Sequence, residues 1–279
     1  MTLDRPFYGI TAGSQLAAEL WFGSLALLAL GYCLWLARRE RKIWPLMVLL
    51  AGAPMTMWES MQNIVTHVVY PEDGMHVAFA IYNRPMPIFL VLLYVAYFGL
   101  WVPWLMKKFE DGVSVKQVMK YYSVTVLFAA AFEPIPVHVL KWYRYYGDNQ
   151  PLKFFGVPSW WFFVNAMTVV GVAAIFAAVR RHVLTADWQT MIFIPAGLLV
   201  CAGLHQSAGV PVYAAIGSGW TSAVTIPAAL LSCGIAIVWV YLLARLVAVA
   251  PISRPNLAVA GDDAARLASA RSAPAHQFP

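Results

Sequence analysis

Long apolar stretches alternate along the chain with short polar breaks, most of them basic. Seven stretches, over residues 15–36, 43–70, 85–106, 121–145, 158–179, 188–209 and 220–243, come near the ~20 residues a helix needs to cross a bilayer. Lipid offers backbone groups no partner, so such stretches are predicted to be helices. The fold class expected is therefore all-α, a polytopic bundle of seven transmembrane helices over residues 1–250. The sixth helix is predicted to be interrupted at its outer end by His205, Gln206 and Pro211. Residues 251–279 are rich in Ala, Pro, Ser and Arg without periodicity, which predicts a disordered cytoplasmic tail.

The breaks set the expected orientation. Arg38, Arg39, Arg41 and Lys42 follow the first stretch, Lys107 and Lys108 the third, Arg180 and Arg181 the fifth, and Arg245 the seventh. Basic residues mark cytoplasmic loops, so every second break lies inside and the chain is N-out, C-in. The loops between are acidic or mixed, as at Glu72 and Asp73. Asp4 beside Arg5, with the positive charge after the first stretch, is the wrong order for a cleavable signal peptide.

The second stretch departs from the apolar pattern. Residues 55–70 read MTMWESMQNIVTHVVY and place Glu59, Gln62, Asn63, Thr66 and His67 on one helical face. Such a stripe is costly in lipid and should face the bundle interior or a cavity. Glu59 lies eleven residues before Tyr70, ~16 Å along a continuous helix and so near mid-membrane. Glu133 lies twelve residues before Tyr145, at similar expected depth, and Pro134 and Pro136 follow it. Each proline removes a backbone donor, so the fourth helix should kink or unwind there. His138 and Lys141 come next. Trp161, Asn165 and Thr168 on the fifth helix and His205, Gln206 and Ser207 on the sixth fall in the same half. Together they predict a polar-floored pocket opening to the non-cytoplasmic side.

Plainer readings stand beside this one. A lone intramembrane glutamate can be a neutral acid bonded to the next helix. Glu133 can tie down a backbone donor freed at the kink. Asn165 and Gln206 can be interhelical hydrogen-bonding groups, and His205 can be structural. Lys141 and Arg144 can snorkel to the headgroups. Trp142, Tyr143, Tyr145, Tyr146, Trp160 and Trp161 can be interfacial anchors.

Composition narrows the classes. Of 279 residues 61% are hydrophobic and 11% charged, against about 25% charged in soluble domains. The +6 net charge sits in the breaks, a topology signal and not a nucleic-acid footprint. The expected partners are thus the lipid bilayer and a hydrophobic small molecule, with no nucleic acid. Cys33, Cys201 and Cys233 lie inside apolar runs with no CxxC pair. No histidine cluster of the di-iron kind, HExxH or GxSxG is present, and the seventh stretch has no lysine for a retinal Schiff base. No metal and no cofactor are expected.

A carboxyl in an apolar pocket favours its neutral form and can act as a general acid. On a greasy substrate the useful step is protonation of an alkene or epoxide. Aromatic faces then hold the cation, each by about 2 kcal/mol when it is desolvated. Glu59 and Glu133 are the candidate catalytic pair, one as acid and the other as base or second acid. Trp58, Gln62, Asn63, His138, Trp161, Asn165, His205 and Gln206 are the candidate substrate-binding residues.

The deep Trp58-Glu59 pair in an early helix of seven resembles the integral-membrane terpene cyclases of meroterpenoid pathways. The run from Glu133 through Trp142 to Gly156-Val157-Pro158 and Trp160-Trp161 is similar to bacterial carotenoid hydratase-type membrane proteins. The resemblance implies acid-initiated cyclisation or hydration of an isoprenoid in a bacterial-type plasma membrane, with Glu59 in the acid position. The cyclase pattern has a second acid late in the chain. Here nothing acidic lies between Asp187 and Asp262, so Glu133 has to fill that role. The competing classes are a proton- or cation-coupled transporter using the two glutamates and a scaffold whose polar residues only lock helices together.

Overall fold

The protein, described by a computed structural model over residues 5–248, contains seven long helices in that range. They are α1 (Ala12–Glu40), α2 (Trp44–Thr66), α3 (Ile88–Glu110), α4 (Val115–Phe132), α5 (Ser159–His182), α6 (Phe193–Gly217) and α7 (Ser222–Val247). The tail expected over residues 251–279 lies outside the described residues. Six of the helices are long and apolar enough to cross a membrane; α2 is not among them. Its polar stripe lowers its mean hydropathy. Large apolar side chains such as Leu27, Leu127, Leu199 and Leu230 are exposed on the flanks. That is the build of a multi-pass membrane protein.

Local sequence sets the helix ends. Thr11 caps α1 by accepting from the Ser14 N–H at 3.2 Å. Ser114 and Gln117 form a reciprocal capping box at the start of α4. Two ends, those of α2 and α6, differ from the sequence expectation, and that of α4 meets the unwinding expected at its prolines. The second helix stops at Thr66, where His67 takes a left-handed conformation. The chain then turns into β1 (Val68–Val69), which pairs with β4 (Arg144–Tyr145). Helix α4 stops at Phe132, and Pro134 and Pro136 pass into a wide π-helical turn over Ile135–Val139. Helix α6 continues through Pro211 to Gly217 instead of breaking at its outer end.

Two hairpins complete the same end of the bundle. One pairs β2 (Val77–Ile81) with β3 (Arg84–Pro87), and the other pairs β5 (Lys153–Phe154) with β6 (Val157–Pro158). The opposite end carries the basic residues that close α1, α3, α5 and α7. There Glu40 accepts from Lys107 at 2.8 Å and from the Trp44 indole at 2.9 Å. Arg180 pairs with Glu110, lies 3.8 Å from Glu40 and covers the Trp44 ring at 4.5 Å. Four helices are tied together at that basic end.

Helix α5 packs against α3, α4, α6 and α7. It is buried on nearly all sides and correspondingly apolar. Between α2 and α3 the backbones approach closely at Gly52, where an added Cβ would meet the Tyr94 carbonyl oxygen at 2.8 Å.

Candidate active site

A cavity of about 220 Å³ lies toward the hairpin end, walled by α2, α3, α4, α5 and α6 and by the paired strands β1 and β4. Glu59 and Glu133 both face it. Helix α2 buries Glu59 because the whole Glu59, Gln62, Asn63 and Thr66 face turns inward, while Met57, Met61 and Ile64 point outward. Glu133 is the residue at which α4 gives way to the π-helical turn.

The two carboxyls are held differently. Glu59 accepts on both oxygens, from Tyr70 on Oε1 at 3.1 Å and from Tyr94 on Oε2. Glu133 accepts twice on one oxygen, Oε1, from Tyr143 and from the Trp161 indole at 3.1 Å. Its Oε2 has no hydrogen-bond partner among the described residues, and the side chain keeps accessible surface toward the cavity. A proton on this carboxyl therefore belongs on Oε2, the oxygen free of donors.

The aromatic wall is continuous. Tyr70 and Tyr143 stand 5.5 Å apart, Tyr143 and Tyr145 6.2 Å, Tyr145 and Trp161 5.9 Å, and Trp161 and His205 5.1 Å. His205 lies 2.6 Å from the Tyr213 hydroxyl through Nδ1 and 3.4 Å from the Gln62 amide through Nε2. An amide N–H donated to Nε2 leaves the ring proton on Nδ1, directed at Tyr213.

Five of the ten residues singled out in the sequence line the cavity: Glu59, Glu133, Trp161, Asn165 and His205. Gln62 stands behind His205. Trp58 is buried off the cavity wall with its indole N–H unpaired. Asn63 is buried beneath the β2–β3 hairpin beside Val68 and Arg84. His138, expected on the pocket wall, is exposed against Phe155 at 5.7 Å, because the π-helical turn rotates it outward. Gln206 is half-buried on α6 and does not reach the cavity.

Sequence reasoning missed the tyrosines. Tyr70, Tyr143 and Tyr145 pass for interfacial anchors until the strands fold them inward. Tyr94 and Tyr97 sit on a helix that reads as apolar; their spacing with Trp101, at i, i+3 and i+7, is the signal that one face is special. The expected opening also differs. Buried Tyr70, Tyr143 and Tyr145 roof the hairpin end, while the lining residues that keep exposure, such as Phe128 and Trp101, lie on the α3–α4 flank.

Among the described residues no group of three or more His, Cys, Asp or Glu side chains is placed to hold a metal ion. Comparison with known proteins finds no match: no family model, no curated protein and no solved structure resembles the chain significantly.

Proposed function

We propose that the protein is an integral-membrane enzyme that opens an epoxide or protonates a double bond of an isoprenoid-like lipid, leading to cyclisation or hydration. All seven helices cross the bilayer in this reading, with the basic end cytoplasmic and the hairpin end outside. The observation that carries it is that Glu133, which lines an aromatic cavity shared with Glu59, takes both its hydrogen bonds on Oε1 and leaves Oε2 without a partner among the described residues. The residues alone left the acid open between the two and the resemblance implied Glu59; the hydrogen bonds favour Glu133.

The proton on Glu133 Oε2 passes to the epoxide oxygen or to an alkene carbon. A C–O bond breaks, or the π bond is consumed, and a carbocation forms. An internal double bond then attacks to close a ring, or water attacks to give an alcohol. The surplus proton leaves to a base, and Glu59, as a carboxylate facing the same cavity, can take it. Tyr70, Tyr143, Tyr145 and Trp161 present the π faces that stabilise the cation, each by about 2 kcal/mol when dry.

A transporter reading has less behind it. The cavity stops short of the basic end, where Glu40, Lys107, Glu110 and Arg180 are paired with one another. The test is to express wild type, Glu59→Gln and Glu133→Gln in membranes and supply prenylated epoxides and polyenes. Product from wild type and its loss in Glu133→Gln are expected. No product from wild type, or full activity in both variants, ends the acid-catalysis reading.

A further inference from the structure

We infer that the cavity takes a single-tailed lipid with an oxygen at its reacting end, and that this lipid enters sideways from the bilayer between α3 and α4. The inference rests on the cavity being the substrate site proposed above, and it specifies the substrate class.

The polar end of the cavity is short of partners. Tyr145 is 7% exposed, and its hydroxyl has no partner among the described residues. The Tyr97 hydroxyl, the Asn165 amide and Glu133 Oε2 also line the cavity and make no side-chain hydrogen bond among the described residues. These groups supply donors and an acceptor to one small space. A pure hydrocarbon would leave all of them buried and unsatisfied, which is costly. An epoxide, alcohol or carbonyl oxygen would satisfy a donor while presenting itself to Glu133.

The cavity is also too small to enclose a long chain. Its volume is about 220 Å³, against about 300 Å³ or more for pockets that enclose a whole drug-sized ligand. The tail has to lie elsewhere, and the flank shows where. Helices α3 and α4 are joined by a short turn at the basic end and are bridged there by aromatic side chains. Trp104 meets Tyr121 edge-on at 5.3 Å. One turn further on, the Trp101 indole donates to Thr125 Oγ1 at 3.0 Å and stacks on Phe128 at 5.7 Å. Beyond that bridge the lining passes to Tyr97, Leu93 and Phe132 and reaches the lipid-facing surface, where Phe128 is 46% exposed. Trp101 and Phe128 thus floor an apolar slot between the acid site and the bilayer. They set how the tail leaves the cavity.

The experiment uses the full chain in lipid nanodiscs with a photoreactive probe: a geranylgeranyl chain with a terminal epoxide and a mid-chain diazirine. Crosslinks are mapped by mass spectrometry, and labelling is competed with the diazirine-free epoxide or with the hydrocarbon of equal length. Label on α3 and α4 around Leu100, Trp101 and Phe128 is expected, with the epoxide competing at least tenfold better than the hydrocarbon. Tyr145→Phe and Asn165→Leu should shrink that preference severalfold while leaving the labelled positions unchanged. Label confined to other helices, or equal competition by the two chains in wild type, overturns the inference. Neither readout needs turnover. Selective labelling of the seam without Glu133-dependent product would remove the catalytic reading and keep this one. Glu133-dependent product with label elsewhere would do the reverse.

Discussion

Tyr70 and Tyr143 stand with their rings 5.5 Å apart, yet each donates to a different glutamate, Tyr70 to Glu59 and Tyr143 to Glu133. The strand pairing of Val68 and Val69 with Tyr145 and Arg144 brings the two tyrosines together from segments far apart in the chain. Each carboxyl therefore takes one donor from this small piece of β structure and one from a neighbouring helix, Tyr94 on α3 for Glu59 and Trp161 on α5 for Glu133.

Removing one donor should thus affect chemistry more than folding. In Tyr143→Phe, Glu133 Oε1 keeps only the Trp161 indole, and its free oxygen is no longer held toward the cavity. A hydrogen bond to such a group contributes about 1.5–3 kcal/mol, so turnover should fall about 10- to 100-fold. Thermal unfolding should move little. Steady-state assays on the substrate from the glutamate experiment, beside a melting curve, check it; unchanged turnover would show that the tyrosine does not orient the acid.

The helices and the deep acids were legible in the sequence because lipid forces long apolar runs and makes each interior charge conspicuous. The end of α2 was not. Nothing local to Thr66 announces that Val68 will pair with Tyr145, since that pairing joins segments far apart in the chain. The tyrosine donors were hidden by their own chemistry: an amphipathic ring near a helix end fits a membrane interface and a catalytic wall equally well. His138 shows the converse. Its sequence position beside Glu133 is close, but the π-helical turn directs it outward.

The basic end should behave as a structural clamp. Arg180 pairs with Glu110, approaches Glu40 and covers Trp44. Arg180→Leu leaves two half-buried carboxylates with Lys107 alone. The network is partly solvated, so the cost should be about 2 kcal/mol, below that of a fully buried pair. Chemical or thermal unfolding in detergent measures it. The cavity is remote, so the folded fraction should retain its turnover; a selective loss of activity would instead point to a pathway running to the basic end.

The β1–β4 pairing should loosen in acid. His67 stacks on Tyr146 at 5.0 Å, and the Tyr146 N–H donates to the His67 carbonyl at 2.9 Å. Burial, with the charge of Arg84 adding to it, holds the imidazole below its ordinary value of 6.5. The sign follows: above 6.5 the ring is neutral whether the pairing is closed or open, and titration contributes nothing. As pH falls below 6.5 the open form takes up a proton first, so closure weakens progressively. Hydrogen exchange at Tyr146 should accelerate over that range. His67→Asn tolerates the left-handed backbone and removes the titration, so its exchange profile should lose this component. Equal acid sensitivity in the variant would assign the effect to another group.

Gly52 sets the distance on which the Glu59 pairing depends. A Cβ there would lie 2.8 Å from the Tyr94 carbonyl oxygen and 2.9 Å from the Val95 Cα, both backbone atoms that cannot swing aside. Gly52→Ala therefore has to push α3 away from α2 at the level of Tyr94, whose hydroxyl donates to Glu59. Overpacking of this kind costs about 1–3 kcal/mol, and the displaced phenol should weaken its hold on the carboxyl. Stability and turnover should fall together. Gly217, with nothing within 4 Å of an added Cβ, is the control: Gly217→Ala should change neither. If Gly52→Ala melts early but the surviving fraction turns over at the wild-type rate, the Tyr94 bond to Glu59 is packing without catalytic consequence. If turnover falls further than stability accounts for, the close approach of the two helices is part of the site.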